Sequence, residues 1–416
     1  MRVLLINTSE RAGGAAIAAS RLTETLNRNG VKAQLLVRDK TTDRPTTVRL
    51  PQRLKLRWAF LWERLRIWAA NGFTRKGLWE VDIATAGADV TALPEFREAD
   101  IVHLHWVNQG LLSMGQITKI MASGKPVVWT MHDMWPCTAI CHHARECDRF
   151  QSHCHDCPQL LRPSSRDLSW QVFERKAQAY AGGNVTFVGC SEWIASEARK
   201  SALLNGHRVV SIPNTYDSQR FRPVNDMSRV ALRRELGLPE HRRLVLFACQ
   251  KVTNAHKGLD YLVQALQSPA LAATSQQISV VVVGQMSAGV ARDIPFPVRT
   301  LGYVGSETMM AQIYQAADVF VTPSLEENLP NTIMEAMACG TPCVGFHIGG
   351  IPEMIDHREN GYVAIYRDAD DLAAGILFAL NDYERLSAAA ASKAASTWNE
   401  QRVAEMYTAL YESVIA

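Results

Sequence analysis

The sequence contains no stretch approaching about 18 consecutive apolar residues, which excludes a membrane-spanning helix of the usual kind. Its opening, MRVLLINTSERAGGAA, lacks a basic head followed by a long apolar run, so it does not read as a secretory signal, and a cytoplasmic location is the expectation. An excess of charge of either sign is also lacking. A net charge of +3 is too small to argue for nucleic acid as a partner. There is no internal repeat and no low-complexity tract. What is present, 47% hydrophobic and 20% charged residues, fits a globular protein. The 416 residues exceed one ordinary core and predict two domains of roughly 200 residues each.

Short apolar runs alternate with amphipathic stretches, the pattern of parallel βαβ units. Predicted strands in the first half are Arg2–Asn7, Ala33–Val37, Ile101–His105, Val127–Met131 and Val185–Cys190. The second half offers Leu244–Cys249, Ile278–Val283, Val298–Tyr303, Val319–Thr322 and Pro342–Phe346. Helical patterns fall between them, as at Ala15–Asn29 and Leu259–Leu266, and a last one covers about Trp398–Ala416. The expected fold class is therefore α/β, with two doubly wound sheets joined near IPNTYDSQRFRP at Ile212–Pro223, which is rich in breakers. In open α/β sheets ligands gather at the carboxyl ends of strands, so loops that follow strands are the places to look.

Three such loops stand out. SERAGGAA at Ser9–Ala16 has Gly13 and Gly14 ahead of a helix, suited to close backbone approach by an anion, although a bare turn reads equally well and GxGxxG is absent. QKVTNAHKG at Gln250–Gly258 carries Lys251 and Lys257, which could neutralise a diphosphate or could be solvated surface lysines. TPSLEENLPNTIMEAMACG at Thr322–Gly340 is the richest: Glu326 and Glu327 in a loop, then a helix from about Asn331 that carries Glu335. Two carboxylates can there accept hydrogen bonds from paired sugar hydroxyls. The amides near Asn331 and Thr332 can meet a phosphate, while the plainer reading is acidic residues favouring a helix dipole.

The pattern Glu-x7-Glu followed by Ala-Met-Ala-x-Gly-x-Pro, from Glu327 to Pro342, resembles family 4 glycosyltransferases of the GT-B fold. IPNTYDSQRFRP, HKGLDYLVQAL and GGIPEMI at Gly349–Ile355 resemble further motifs of that family, so the likeness runs nearly end to end. It implies two Rossmann-like domains facing across a cleft: residues 1–213 for the acceptor, 214–396 for the donor, and a C-terminal helix, 397–416, returning to the first domain. It implies that Glu335 binds the ribose hydroxyls, Glu327 those of the transferred sugar, and Lys257 the diphosphate. By the same likeness the Gly13–Gly14 loop closes over the ligands, and His132 in HDMWP stands near the anomeric centre. Two departures matter: Asn328-Leu329-Pro330 where relatives have Gly-Phe-Gly, and Cys249-Gln250-Lys251 where many have Gly-Arg. The Asn-Leu-Pro-Asn version resembles a subset of polysaccharide enzymes of the capsule and colanic-acid type.

The activity so implied is retaining transfer of a hexose from a UDP- or GDP-sugar to a lipid-linked or oligosaccharide acceptor. No Asp-x-Asp motif occurs at a strand end, so no catalytic metal is expected. A 2-epimerase of the same fold, and a non-enzymatic zinc-stabilised binding protein, are the competing readings.

Nine cysteines are many for a reducing compartment, and five of them fall within 137–157. Cys141, Cys147, Cys154 and Cys157 are spaced C-x5-C-x6-C-x2-C, and the terminal C-x2-C is a usual zinc half-site. His142, His143, His153 or His155 could substitute as ligands. Free thiols and disulfides are the alternatives. In RLKLRWAFLWERLRIWA at 53–69, Leu54, Trp58, Leu61, Trp62, Leu65 and Trp68 recur at helical spacing, and Arg53, Lys55, Arg57, Arg64 and Arg66 oppose only Glu63. Such a helix suits the inner face of a plasma membrane, which a lipid-linked acceptor would share; packing of its tryptophans onto the first sheet is the other reading.

Overall fold

The computed structural model describes residues 1–274, 276–285 and 294–416, without the side chain of Arg53. The chain forms two compact units, one of residues 1–214 with 403–416 and one of residues 215–402.

The first unit holds a sheet of seven strands: β1 (Arg2–Ser9), β2 (Lys32–Asp39), β3 (Thr47–Arg49), β4 (Ile101–Leu104), β5 (Val127–Met131), β6 (Val185–Gly189) and β7 (Arg208–Ser211). Their order is β3-β2-β1-β4-β5-β6-β7, parallel throughout. Every residue of β4, β5 and β6 is buried, as near-continuous apolar runs in a doubly covered sheet should be. Side chains alternate between faces. Leu4, Ile6, Val102, Leu104 and Trp129 enter one core layer. Val3, Leu5, Ile101 and Val128 enter the other, which is closed by Val403, Tyr407, Leu410 and Tyr411 of the helix Glu400–Ile415. Those four positions recur at helical spacing, so the last helix of the chain completes the first core.

The second unit holds β8 (Arg243–Lys251), β9 (Ile278–Gln285), β10 (Val298–Gly302), β11 (Val319–Thr322), β12 (Cys343–Phe346) and β13 (Gly361–Ala364). Their order is β10-β9-β8-β11-β12-β13, again parallel. Val245, Phe247, Val280, Val282, Val319 and Val321 pack there with Leu372 and Ile376 of the helix Ala369–Asn381.

Strand order reverses between β1 and β4 in the first sheet and between β8 and β11 in the second. Loops on either side of such a switch diverge, and the crevice they leave is where ligands bind in this architecture.

The helix Arg53–Ala70 buries Leu56, Ala59 and Ile67. Glu63 and Arg64 are buried with them: Glu63 accepts from the amides of Ile83 and Ala84 at 2.7 and 2.6 Å, and Arg64 donates to Asp82. The opposite stripe is bare, with Trp58 70% and Trp62 52% exposed beside Leu54, Leu61 and Leu65. Trp58 and Trp62 therefore do not pack onto the sheet, and Trp68 is half-buried edge-on against Phe73. Among the described residues no helix is long and apolar enough to cross a membrane.

Candidate active site

In the second unit the loops after β8 and β11 flank the switch point. After β8 a short turn, Ala255–Lys257, is capped by Asn254, whose side chain accepts from the His256 amide at 3.1 Å. Gly258 follows with φ +70°, and a Cβ there would stand 1.8 Å from the carbonyl oxygen of Pro323. The β8 loop thus lies directly on the β11 loop, and the amide of Leu325 donates to the His256 carbonyl at 2.8 Å. That contact delivers Lys257 to Glu327: its Nζ donates to Oε1. The Glu327 carboxylate holds the Lys257 ammonium above its usual range, against the opposing effect of burial. His256 lies 3.5 Å from Glu326.

A second glycine contact fixes Glu327 from the other side. Gly349, at φ +56°, would set a Cβ 1.7 Å from the Glu327 carbonyl oxygen, and the Gly350 amide donates to the Asn328 carbonyl at 2.9 Å. The GGIPEMI loop therefore braces the glutamate loop. Beyond it the helix Asn331–Ala338 begins after Pro330, a residue that supplies no side-chain cap. Asn331 and Thr332 are half-buried on its first turn, and Glu335 is buried. Lys251 ends β8 and is exposed. The unit thus gathers an ammonium, two carboxylates and a helix amide end around one switch point. The Asp-x-Asp of Asp368–Asp370 stands past β13, and Asp368 caps the helix Ala369–Asn381.

In the first unit Gly13, at φ +91°, precedes the helix Gly14–Arg28 as its N-cap, again with no side-chain cap. Two strands on, His132 follows β5 and shares a 2.9 Å hydrogen bond through Nε2 with Nδ1 of His105, which follows β4. His105 is 3% exposed, and its Nε2 has no hydrogen-bond partner. Behind it His103 bonds Tyr411 Oη at 2.7 Å and Thr130 Oγ1 at 2.8 Å, and Thr130 bonds Tyr407 Oη at 2.9 Å. Burial lowers His132 to about 4, against the opposite pull of Asp133, and lowers His103 to about 3. Asp133 is pinned by Trp106 Nε1 at 2.8 Å, His142 Nδ1 at 2.7 Å and the Trp135 amide at 2.9 Å. Sequence reasoning passed over His103, His105 and Asp133. Two histidines at i and i+2 at the end of an apolar strand were the available signal.

Cys141, Cys147, Cys154 and Cys157 line one small cavity, and all nine cysteines are free thiols. Among the described residues no three His, Cys, Asp or Glu side chains stand grouped as a ready ligand set for a metal.

Comparison with known proteins agrees with this layout. The model described as Glycosyltransferase Family 4 matches residues 12–220, and that described as Glycosyl transferases group 1 matches residues 242–382. D-inositol 3-phosphate glycosyltransferase of Geodermatophilus obscurus is 25% identical over 97% of this chain and 86% of its own length. Other relatives match in part: the chain spans 40% of the length of an uncharacterised glycosyltransferase of Methanocaldococcus jannaschii, at 29% identity over 37% of this chain. Among solved structures, sucrose-phosphate synthase from Thermosynechococcus elongatus has a TM-score of 0.68 at 20% identity, covering 100% of this chain and 99% of that one. HepE of Anabaena, solved with UDP-glucose, has a TM-score of 0.63 at 15% identity, covering 99% and 100%. With a family model spanning half of its length and two Rossmann-like sheets of the matching kind, the chain belongs to glycosyltransferase family 4.

Proposed function

We propose that this protein transfers a hexose, with retention of anomeric configuration, from a UDP- or GDP-sugar to a lipid-linked or oligosaccharide acceptor in the assembly of a surface polysaccharide of the capsule or colanic-acid kind. The observation that carries the donor half is the Lys257–Glu327 pair at the β8/β11 switch point, in the loop that leads into the helix Asn331–Ala338 with its buried Glu335. Glu335 takes the ribose hydroxyls and Glu327 the sugar hydroxyls. Lys257, Lys251 and the amides of Asn331 and Thr332 neutralise the diphosphate as it leaves. No side chain is assigned as a covalent nucleophile; the acceptor hydroxyl attacks from the face the leaving group departs. His132 and the Gly13–Gly14 loop serve the reacting centre and the acceptor side. No divalent cation takes part.

The membrane half rests on the bare stripe Leu54-Trp58-Leu61-Trp62-Leu65, flanked by exposed Lys55 and Arg57. Tryptophans at headgroup depth and cations against anionic lipid would hold the enzyme at the surface where a lipid-linked acceptor presents its sugar. The name of the Geodermatophilus relative favours a second reading for the acceptor alone, a soluble phosphorylated polyol or sugar.

The test is binding of UDP-glucose and GDP-mannose to the purified protein, with and without EDTA, alongside Glu335→Ala. Saturable binding of one nucleotide class, indifferent to EDTA and weakened at least about tenfold in the variant, is the expected result. Unchanged binding in the variant would sink the donor-site assignment.

A further inference from the structure

The segment between β5 and the helix Leu168–Tyr180 is held together by something other than regular structure. Its only repeating elements are two three-residue turns, Trp135–Cys137 and Arg149–Gln151. Four cysteines of this segment, Cys141, Cys147, Cys154 and Cys157, line with His155 and apolar neighbours one cavity of about 20 Å³, room for roughly one water-sized particle. Hydrogen bonding arranges the backbone around it. Asp156 adopts φ +43° inside the C-x2-C, and the Cys157 amide donates to Asp167 Oδ2 at 2.8 Å. Cys141 is tied to Val81 by an isolated antiparallel bridge.

Three histidines of the segment that could compete as ligands are engaged. His142 spans Asp133 and Asp82 at 2.7 Å each, His153 bonds Glu174 at 2.7 Å, and His155 bonds Asp156 at 2.7 Å.

The decisive neighbour is Lys176. It is fully buried, its Nζ 3.3 Å from the centroid of the Trp135 ring, and it donates to the carbonyls of Trp135 and Thr138. No carboxylate pairs with it among the described residues; its charged or ionisable neighbours are Cys137, Cys141, Cys154 and the more weakly felt Asp133. A tetrathiolate metal centre would carry net negative charge, and an ammonium held at this spot by two carbonyls and a ring face would complement it.

We propose that Cys141, Cys147, Cys154 and Cys157 bind a structural zinc ion as thiolates, with Lys176 as the buried counter-charge beside the centre. The four thiols line the cavity without being grouped as ligands, so binding closes them on the ion: four S–H protons leave to solvent and four sulfur–zinc bonds form. Neither redox change nor a part in sugar transfer is involved, so the site stands or falls independently of the donor-site reading.

The experiment is elemental analysis of the full-length protein after growth with added zinc, followed by chelator competition and cobalt substitution. About one zinc per chain is expected, with thiolate-to-cobalt charge-transfer absorption of a tetrahedral centre on exchange. The double variant Cys154→Ser/Cys157→Ser should lose the metal, Cys190→Ser should keep it, and Lys176→Met should release it to chelator about tenfold more readily. Zinc well below one per chain in the unaltered protein, a cobalt form without thiolate bands, or full zinc in the double variant would each overturn the site. Should the double variant fail to fold, the stoichiometry and cobalt spectrum of the unaltered chain still decide it.

Discussion

His105 Nδ1 and His132 Nε2 stand 2.9 Å apart, with their rings stacked at 5.2 Å and tilted by only 20°. One nitrogen of the pair must carry the proton and the other accept it. Since His105 Nε2 is buried without a partner, the cheaper arrangement leaves it as a bare lone pair, so that His105 donates to His132. His105 then fixes both the ring orientation and the tautomer of the residue assigned to the reacting centre. His105→Phe keeps the bulk and should lower kcat by roughly ten- to a hundredfold with KM for the donor little changed. His105→Asn, whose amide can reproduce the Nδ1 donor, should recover part of the loss. Imidazole nitrogen NMR would report the change of tautomer at His132 directly, and an unchanged His132 signal in His105→Phe would count against this role.

The same cluster makes stability depend on pH in a defined direction. Burial first, and the neighbouring His132 second, lower His103 to about 3 in the folded protein, and burial lowers His132 to about 4. An unfolded histidine titrates near 6.5. Below that value the unfolded chain binds more protons than the folded one, so stability falls as pH drops from about 6.5 towards 4 and is insensitive to these groups above about 7. Thermal melts across that interval should decline more steeply for the unaltered protein than for His103→Gln. Parallel curves would contradict the assignment.

Lys257 and Glu327 hold one another before any donor arrives, so their roles separate by kinetics. Lys257→Met removes the charge that faces the leaving diphosphate. Its loss should appear mainly in kcat, by about a hundredfold or more, because that charge matters most as negative charge develops. Glu327→Gln should instead split between KM and kcat. An equal, purely KM effect for both would mean that the pair only binds ground-state donor.

Gly349 is a structural test of the same loop. Its absent Cβ would stand 1.7 Å from the Glu327 carbonyl oxygen, so Gly349→Ala must displace one backbone or the other. A destabilisation of about 1–3 kcal/mol with weakened donor binding is expected. Gly182→Ala, where a Cβ meets nothing within 4 Å, serves as the control. Calorimetric melting and donor titration of both variants make the comparison.

For the bare helix stripe the check is vesicle flotation. Trp58→Ala/Trp62→Ala should release the protein from vesicles containing anionic phosphatidylglycerol while leaving its melting temperature within a few degrees, because both side chains are already exposed. Retention of the double variant on the vesicles would remove the membrane reading.

Legibility in the sequence followed burial. β5 and β11, which are buried at every residue, were predicted with their observed boundaries, because a doubly covered strand writes itself as an unbroken apolar run. β3 and β7 left no such mark: one is three residues long, the other partly exposed at an edge of the sheet. β13, GYVA, offers only Tyr362 and Val363 as strand formers, between a glycine and an alanine. Within the candidate site, Glu327 and Glu335 were singled out by their Glu-x7-Glu spacing ahead of Ala-Met-Ala-x-Gly-x-Pro, and Lys257 by its place beside Gly258 in a loop that follows a strand. His105 was not, since its significance lies in a contact with a residue 27 positions away. Lys176 reads in sequence as one more helix-surface lysine, and only its complete burial marks it out.

The helix Glu400–Ile415 supplies the Tyr411 hydroxyl to His103 and the Tyr407 hydroxyl to Thr130. Those partners are synthesised after every residue of the second unit. During synthesis the first unit therefore lacks part of one core layer, and His103 lacks its Tyr411 partner, until residues 403–416 emerge. A nascent chain stalled before them would expose that layer to chaperones, so the enzyme's quality control is written into its order of translation: the first unit matures only when the second is already complete.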